Sequence, residues 1–104
     1  MKYIKLFEKL SEEPAVGDYV ICEDPDVDYR DLNEFLKFNI GELRKINHRE
    51  DINYKYTVEF ENIPYNLSSY FSDDSRSFRR AEITHFSNNK EDLNLIVVAN
   101  KYNL

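Results

Sequence analysis

Apolar and polar side chains alternate most regularly between Tyr54 and Phe60, in the middle of the chain. The even positions are Tyr, Tyr, Val and Phe and the odd positions are polar, which is the period of two of a half-buried strand. The preceding run is apolar at Leu43 and Ile46, whose positions differ in parity, so either a bulge falls near Arg44-Lys45 or the strand bends. Together the two runs predict a β-hairpin over residues 39–60, joined by a polar loop.

Two further runs flank this hairpin and are predicted to be strands that close on it. The first is residues 16–22 and the second is residues 79–86. Gly41 is expected at a bend, where a side chain would crowd the chain that crosses it. Residues 61–65 are predicted to leave the strand through a turn at residues 62–64, and the run that follows to Phe78 is rich in Ser and Asp.

Helical spacing occurs in three places outside these strands. Residues 1–10 are amphipathic, and residues 1–13 are expected to form an N-terminal helix packed on the domain, a leader, or a docking peptide. The triplet Leu6-Phe7-Glu8 also resembles the site after which a maturation protease removes short capsid-targeting peptides in some tailed phages. Residues 29–36 are predicted to form one or two helical turns, with three side chains facing the sheet: Leu32, Phe35 and Leu36.

The last segment, residues 87–104, is predicted to form a C-terminal helix. Ser87 or Asn88 is expected to cap it, since Glu91 lies three residues after Asn88. Leu93 and the apolar residues after it follow helical spacing, although residues 95–98 alone also fit a fifth strand.

The predicted strands resemble those of SH3-like small barrels of the KOW and Tudor-like kind. Such domains often begin with a Gly-Asp-x-Val-x-Val strand and continue with Gly-x-Val-x-x-Ile. This chain has GDYVIC at residues 17–22, GELRKI at residues 41–46 and the aromatic strand at residues 54–60. The resemblance covers residues 16–86 and implies a five-stranded barrel, mainly β with flanking helices, and a binding role. We predict that the barrel domain spans residues 14–86. The long acidic loop after the first strand departs from a minimal KOW unit.

The net charge of −6 lies entirely in the first third of the chain. Residues 1–36 hold ten acidic and four basic side chains, whereas residues 37–104 hold ten of each. Such a patch repels phosphate backbones and attracts basic partners. The acids of the loop are Glu23, Asp24, Asp26, Asp28, Asp31 and Glu34.

Length and composition indicate one domain that folds in a reducing compartment. At 104 residues the chain can bury a single core. One cysteine cannot form an internal disulfide, and no apolar run is long enough to span a bilayer, so we expect a cytoplasmic protein without a membrane partner. Abundant Asn, Ile, Tyr and Lys are typical of AT-rich coding sequences, which include many phages and viruses; the location would then be the host cytoplasm or the virion.

The sequence gives little support for a metal site or a catalytic site. Cys22 and the two histidines lack zinc-ligand spacing, and we expect Cys22 to be a small buried residue. Asp24, Asp26 and Asp28 alternate as in a calcium loop, but the required Gly and Glu are replaced by Tyr29 and Phe35. No nucleophile motif or phosphate-binding glycine loop is present. We therefore predict a non-enzymatic protein with no cofactor and no metal.

Aromatic residues near the acidic loop give the leading functional hypothesis, a protein-interaction module that binds a basic partner. Tudor-like barrels hold a methylated Lys or Arg in a cage of aromatic rings with acids nearby. The aromatic residues of this chain could form such a cage or a peptide-binding groove, or Tyr54 and Tyr56 could simply fill the core. The predicted partner-binding residues are Asp24, Asp26, Asp28, Tyr29, Tyr54, Tyr56 and Tyr65.

The main alternative is a small barrel that binds nucleic acid, which the acidic charge disfavours. It would use five basic residues: Arg44, Lys45, Arg49, Arg79 and Arg80. A structural virion component that self-associates through an open strand edge is a third hypothesis.

Overall fold

The computed structural model describes residues 13–102, which form a five-stranded antiparallel sheet with two α-helices. The strands are β1 (Tyr19–Cys22), β2 (Gly41–Ile46), β3 (Tyr56–Glu59), β4 (Ser75–Phe78) and β5 (Ile83–Ser87). The helices are α1 (Arg30–Phe38) and α2 (Lys90–Lys101), and two 3-10 helices cover Tyr65–Tyr70 and Arg80–Glu82.

The predicted hairpin is confirmed as β2 and β3, which lie at the centre of the order β4-β3-β2-β1-β5. The register pairs Leu43 with Val58 and Lys45 with Thr57, so the extra residue is Arg44, at the predicted bulge. The bulge explains the change of parity in β2, because the extra residue Arg44 lets both Leu43 and Ile46 pack against the core.

Glycine is needed at position 41 because the side chains of Val58 and Phe60 lie too close to its backbone for a Cβ atom to fit. A Cβ atom at this position would clash with Val58 Cγ1 and lie 2.8 Å from Phe60 Cε1. The predicted crowding is therefore confirmed, but its cause is the side chains of the neighbouring strand and not a crossing backbone.

The sheet must curve strongly, because its two edge strands are joined by only four residues. A flat sheet would separate β4 from β5 by four strand spacings, about 19 Å. The connection consists of Arg79 and one turn of 3-10 helix at Arg80–Glu82, and such a segment spans about 13 Å. The sheet therefore curls so that its outer strands approach each other.

Helix α1 forms within the acidic loop and packs its apolar residues into the core. Leu32, Phe35 and Leu36 are all buried, as their i, i+3, i+4 spacing predicts. The Asn39 side chain donates a hydrogen bond to the Phe35 carbonyl oxygen at 2.8 Å and so satisfies a free acceptor at the end of the helix.

Helix α2 confirms the predicted C-terminal helix and shows that the strand alternative for residues 95–98 was wrong. Its N-cap is Asn89, whose side chain accepts from the Glu91 backbone N–H at 3.0 Å, so the predicted caps Ser87 and Asn88 were wrong. Ser87 belongs to β5 and donates to Asp92 instead. No helix within residues 13–102 is long and apolar enough to cross a membrane.

An aromatic cluster fills the space between the sheet and α1. Phe60 packs edge-to-face against Phe35, Phe71 and Phe78, with ring centroids 5.7 to 6.2 Å apart. Cys22 is buried beside this cluster, as predicted. The ring contacts hold the irregular segment after β3, which carries Phe71, against the core.

Three sequence predictions need correction or lie outside the structure. The chain leaves β3 before residue 61, as predicted, but the polar run that follows ends in β4, which was not predicted because Phe78 is its one buried residue and no alternation shows. The predicted strand 79–86 begins only at Ile83, because a 3-10 helix precedes it. The predicted N-terminal helix or leader falls almost entirely outside the described residues.

Candidate functional site

An open groove of about 970 Å³ runs along the outer edge of β4. One wall is the acidic segment between β1 and α1, and the other is β4 with the serine-rich segment that precedes it. We call this the β4-edge groove; its floor contains the rings of Tyr29, Tyr70 and Phe71. It is larger than a second cavity, of about 570 Å³, that lies between β1, α1 and β5.

The acidic segment is held in a fixed shape by its own aspartates. Asp24 Oδ1 accepts the Asp26 backbone N–H at 2.9 Å, and Asp26 Oδ1 accepts the Asp28 backbone N–H at 2.9 Å. The Asn33 side chain on α1 accepts from Asp24 N at 2.7 Å and donates to Asp24 O at 2.8 Å. The alternating spacing thus builds successive Asx turns, a structural role for aspartate side chains.

Arg76 of β4 occupies the inner end of the β4-edge groove. Its guanidinium forms an ion pair with Asp24 at 2.8 Å and donates to the Tyr70 carbonyl oxygen at 3.0 Å. It also lies 5.9 Å from the Tyr70 ring centroid and 5.8 Å from that of Phe78. Its Nε atom is buried without a hydrogen-bond partner among residues 13–102. One cation is therefore already held by a carboxylate and two rings.

A second cation–aromatic pair lies at the outer end of the groove. The Arg79 guanidinium is 5.3 Å from the Tyr54 ring centroid and 3.6 Å from Glu82. At the opposite wall, the Tyr29 ring meets Tyr70 edge-to-face at 5.2 Å. The groove can hold a flat or cationic group between rings, with carboxylates nearby.

The structure brings together four of the seven predicted partner-binding residues. Asp24, Asp26, Tyr29 and Tyr54 line the β4-edge groove. Asp28 is exposed next to it but is not part of the lining.

The remaining two predicted residues lie elsewhere. Tyr65 is 93% exposed at the start of the first 3-10 helix, outside the groove. Tyr56 is only 3% exposed, so it is a core residue and presents no surface to a partner. Its hydroxyl donates to Glu13, and burial together with this carboxylate raises the pKa of Tyr56 to about 12.

The basic residues of the nucleic-acid alternative are mostly paired with acids. Arg44 contacts Glu42 at 3.3 Å and Glu59 at 2.7 Å, and the neighbouring Lys45 is exposed. The other three each form an ion pair with a carboxylate, in the pairs Arg49–Asp51, Arg79–Glu82 and Arg80–Glu13.

Arg76 and Ser77 are groove residues that the sequence analysis missed. They fall in the strand that shows no alternation, so nothing in the local pattern drew attention to them. A signal was present nearby, since Tyr70 and Phe71 are aromatic residues in an otherwise polar stretch.

A second cavity, of about 570 Å³, lies between β1, α1 and β5 and contains Cys22 and His85. Burial, with a smaller contribution from Glu82, raises the pKa of the Cys22 thiol, and burial lowers the pKa of His85. A neutral thiol is a poor nucleophile and a poor metal ligand. Within residues 13–102 there is no group of three metal-ligating side chains.

No protein-family model, curated protein or solved structure matches this chain. The function is therefore inferred from the groove itself.

Proposed function

We propose that this domain is a protein-interaction module that holds an arginine or lysine side chain of a basic partner in the β4-edge groove. The observation that carries the proposal is Arg76, a cation that the groove already holds between the carboxylate of Asp24 and the rings of Tyr70 and Phe78. The Asp26 carboxylate, which has no ion pair in the described part of the chain, and the rings of Tyr29 and Tyr70 offer the same kinds of interaction to the cation of a partner.

Charge supports a cationic partner. The groove is lined by three acids, Asp24, Asp26 and Glu82, and by two arginines that each pair with one of them. Asp26 is left without an ion pair within residues 13–102, and exposed Asp28 lies beside it. The net negative groove attracts basic side chains and repels phosphates.

We also infer that the curved sheet is an SH3-like barrel. The support is the strand order, in which β1 to β4 follow one another and β5 returns to pair with β1. A sheet whose first and last strands pair in this way and whose edges approach each other is suited to closure.

The test is a selection of binders from a random peptide-display library. We expect wild-type protein to enrich peptides with Arg or Lys. The variant Asp26→Asn/Asp28→Asn should lose this enrichment, because both charges are removed while the amide at position 26 keeps the oxygen that accepts the Asp28 backbone N–H. The matched control is Glu50→Gln/Glu61→Gln, which removes two exposed charges elsewhere and should leave the selection unchanged.

Two results would contradict the proposal. One is that the peptides selected by the wild-type protein are not enriched in Arg or Lys. The other is that the groove variant and the control variant lose this enrichment to the same extent. Duplex DNA offered in place of the library should give no retention at physiological salt, and retention that weakens steeply with salt would favour the nucleic-acid alternative.

A further inference from the structure

The backbone of β4 has one side paired with β3 and one side at the edge of the sheet. Phe60 N–H donates to Asp74 O at 2.9 Å, and the register continues from this pair to Val58 with Arg76 and Tyr56 with Phe78. In an antiparallel ladder, hydrogen-bonded pairs alternate with pairs whose N–H and C=O groups point away. The backbone N–H and C=O groups that point away from β3 therefore belong to residues 75, 77 and 79.

Two of these three residues already have partners. Ser75 exchanges both backbone hydrogen bonds with Ser72, at 2.8 and 2.9 Å. The Arg79 backbone N–H donates to Glu82 Oε1 at 2.7 Å, and its carbonyl oxygen accepts from Glu82 N–H at 3.0 Å. Both residues make these hydrogen bonds on the side away from β3, as the alternation requires.

Ser77 is left between these two blocked positions. Its backbone N–H and C=O point outward and make no hydrogen bond to any residue from 13 to 102. It lines the β4-edge groove together with Ser75 and Arg79. The backbone of a ligand lying in the groove could thus form one pair of hydrogen bonds with Ser77.

We propose that the partner binds as an extended peptide segment whose backbone pairs with Ser77 and adds a short sixth strand beside β4. The inference rests on the proposed function and specifies its mode. Strand addition to a sheet edge supplies affinity through the backbone, and alternate side chains supply specificity. The cationic side chain of the segment then points toward Asp26, and its flanking residues lie along Tyr54 and Tyr70.

The blocked positions limit the length of this pairing. Ser72 and Glu82 cover the edge on either side of Ser77, so a ligand exchanges hydrogen bonds through one of its residues only. The geometry therefore predicts a short linear motif and disfavours a long added strand.

The experiment uses a hexapeptide of alternating Thr and Val with Arg at one central position, and fluorescence anisotropy to measure its affinity. Ser77→Pro removes the outward N–H, and an edge position tolerates proline because no ladder hydrogen bond is lost. Ser77→Ala is the matched control, since it removes the hydroxyl, which lies 3.5 Å from Thr57 Oγ1, and keeps the N–H. We expect Ser77→Pro to weaken binding roughly tenfold and Ser77→Ala to leave it nearly unchanged.

A second measurement does not depend on how the variant folds. The same peptide is N-methylated at each backbone nitrogen in turn and bound to wild-type protein. Only one position should be strongly sensitive, because only one ligand N–H donates to the Ser77 carbonyl oxygen. Uniform sensitivity, or none, would overturn strand pairing.

The possible results separate the two proposals. Binding that is lost in Asp26→Asn/Asp28→Asn but is unaffected by Ser77→Pro and by N-methylation would support cation binding in the β4-edge groove and overturn strand addition. No binding of the Arg peptide would contradict both. A wild-type dimer that Ser77→Pro converts to a monomer, measured by light scattering, would assign the edge to a second copy of the chain and also overturn the proposal.

Discussion

Tyr56 combines a ring in the core with a hydroxyl that donates to Glu13, and this makes the stability of the domain sensitive to alkaline pH. Its pKa in the folded protein is about 12, whereas an unfolded tyrosine ionises near 10. The unfolded state therefore loses its proton first as pH rises. The stabilisation is fully present below about pH 10 and is lost as the pH approaches 12.

We expect the free energy of unfolding to fall by up to about 2 kcal/mol across this range because of Tyr56. Urea denaturation followed by circular dichroism at a series of pH values measures the change. Tyr56→Phe is the control, since it keeps the ring and removes the ionising group; its stability should fall less steeply. Equal slopes in both proteins would show that Tyr56 is not the source.

The two α-helices bury their apolar residues to very different degrees. Leu36 on α1 is fully buried, whereas Leu95 on α2 is 58% exposed. The same substitution at the two sites therefore separates core packing from helix propensity. We expect Leu36→Ala to reduce the free energy of unfolding by about 2 to 5 kcal/mol, and Leu95→Ala by less than about 1 kcal/mol because alanine favours a helix.

Urea denaturation of both variants at neutral pH tests this expectation. Similar losses at the two positions would mean that the exposed face of α2 is covered in solution. In that case the apolar residues Leu95, Val98 and Tyr102, all exposed within residues 13–102, would be the first surface to examine.

At the scale of the whole molecule, the Asp24–Arg76 pair joins two parts of the sheet that are three strands apart. Asp24 follows β1 and Arg76 lies on β4, 52 residues later. Both side chains are largely buried, with 10% and 22% of their surface exposed. The ion pair therefore fastens the acidic segment across the curved sheet and fixes the width of the groove.

A double-mutant cycle with Asp24→Asn and Arg76→Gln measures this connection. Each single change should cost about 1 to 3 kcal/mol, since it leaves a poorly solvated partner, and the double change should cost less than the two together. Asparagine keeps the oxygen that accepts Asp26 N–H, so the Asx turn is preserved. Additive losses would mean that the two side chains act independently.

The sequence predicted those elements whose side chains face the core in a regular pattern. Leu32, Phe35 and Leu36 have helical spacing and are buried, and the parity change between Leu43 and Ile46 located the bulge. Tyr54 had the same parity as Tyr56 but lies outside the strand and is 52% exposed, because the loop ends only at Lys55.

The groove was predictable only in part, because its parts come from distant segments. The acids and aromatic residues were visible as a local cluster, but their neighbour Arg76 comes from a strand with a single buried residue. Backbone pairing with β3, and not side-chain pattern, places that strand in the sheet. The open groups of Ser77 depend on the register of this pairing, so no reading of side chains alone could locate them.

The pairing of β1 with β5 has a consequence for the time at which the protein can fold. Tyr19 of β1 lies opposite Ser87 of β5, so β1 cannot complete its pairing until residues synthesised 68 positions later are available. The β2–β3 hairpin can form as soon as it leaves the ribosome, but β1 keeps one open side until residue 87 has emerged. Folding of the complete sheet is therefore a late event in the life of the nascent chain, and its rate is limited by the closure of that long loop.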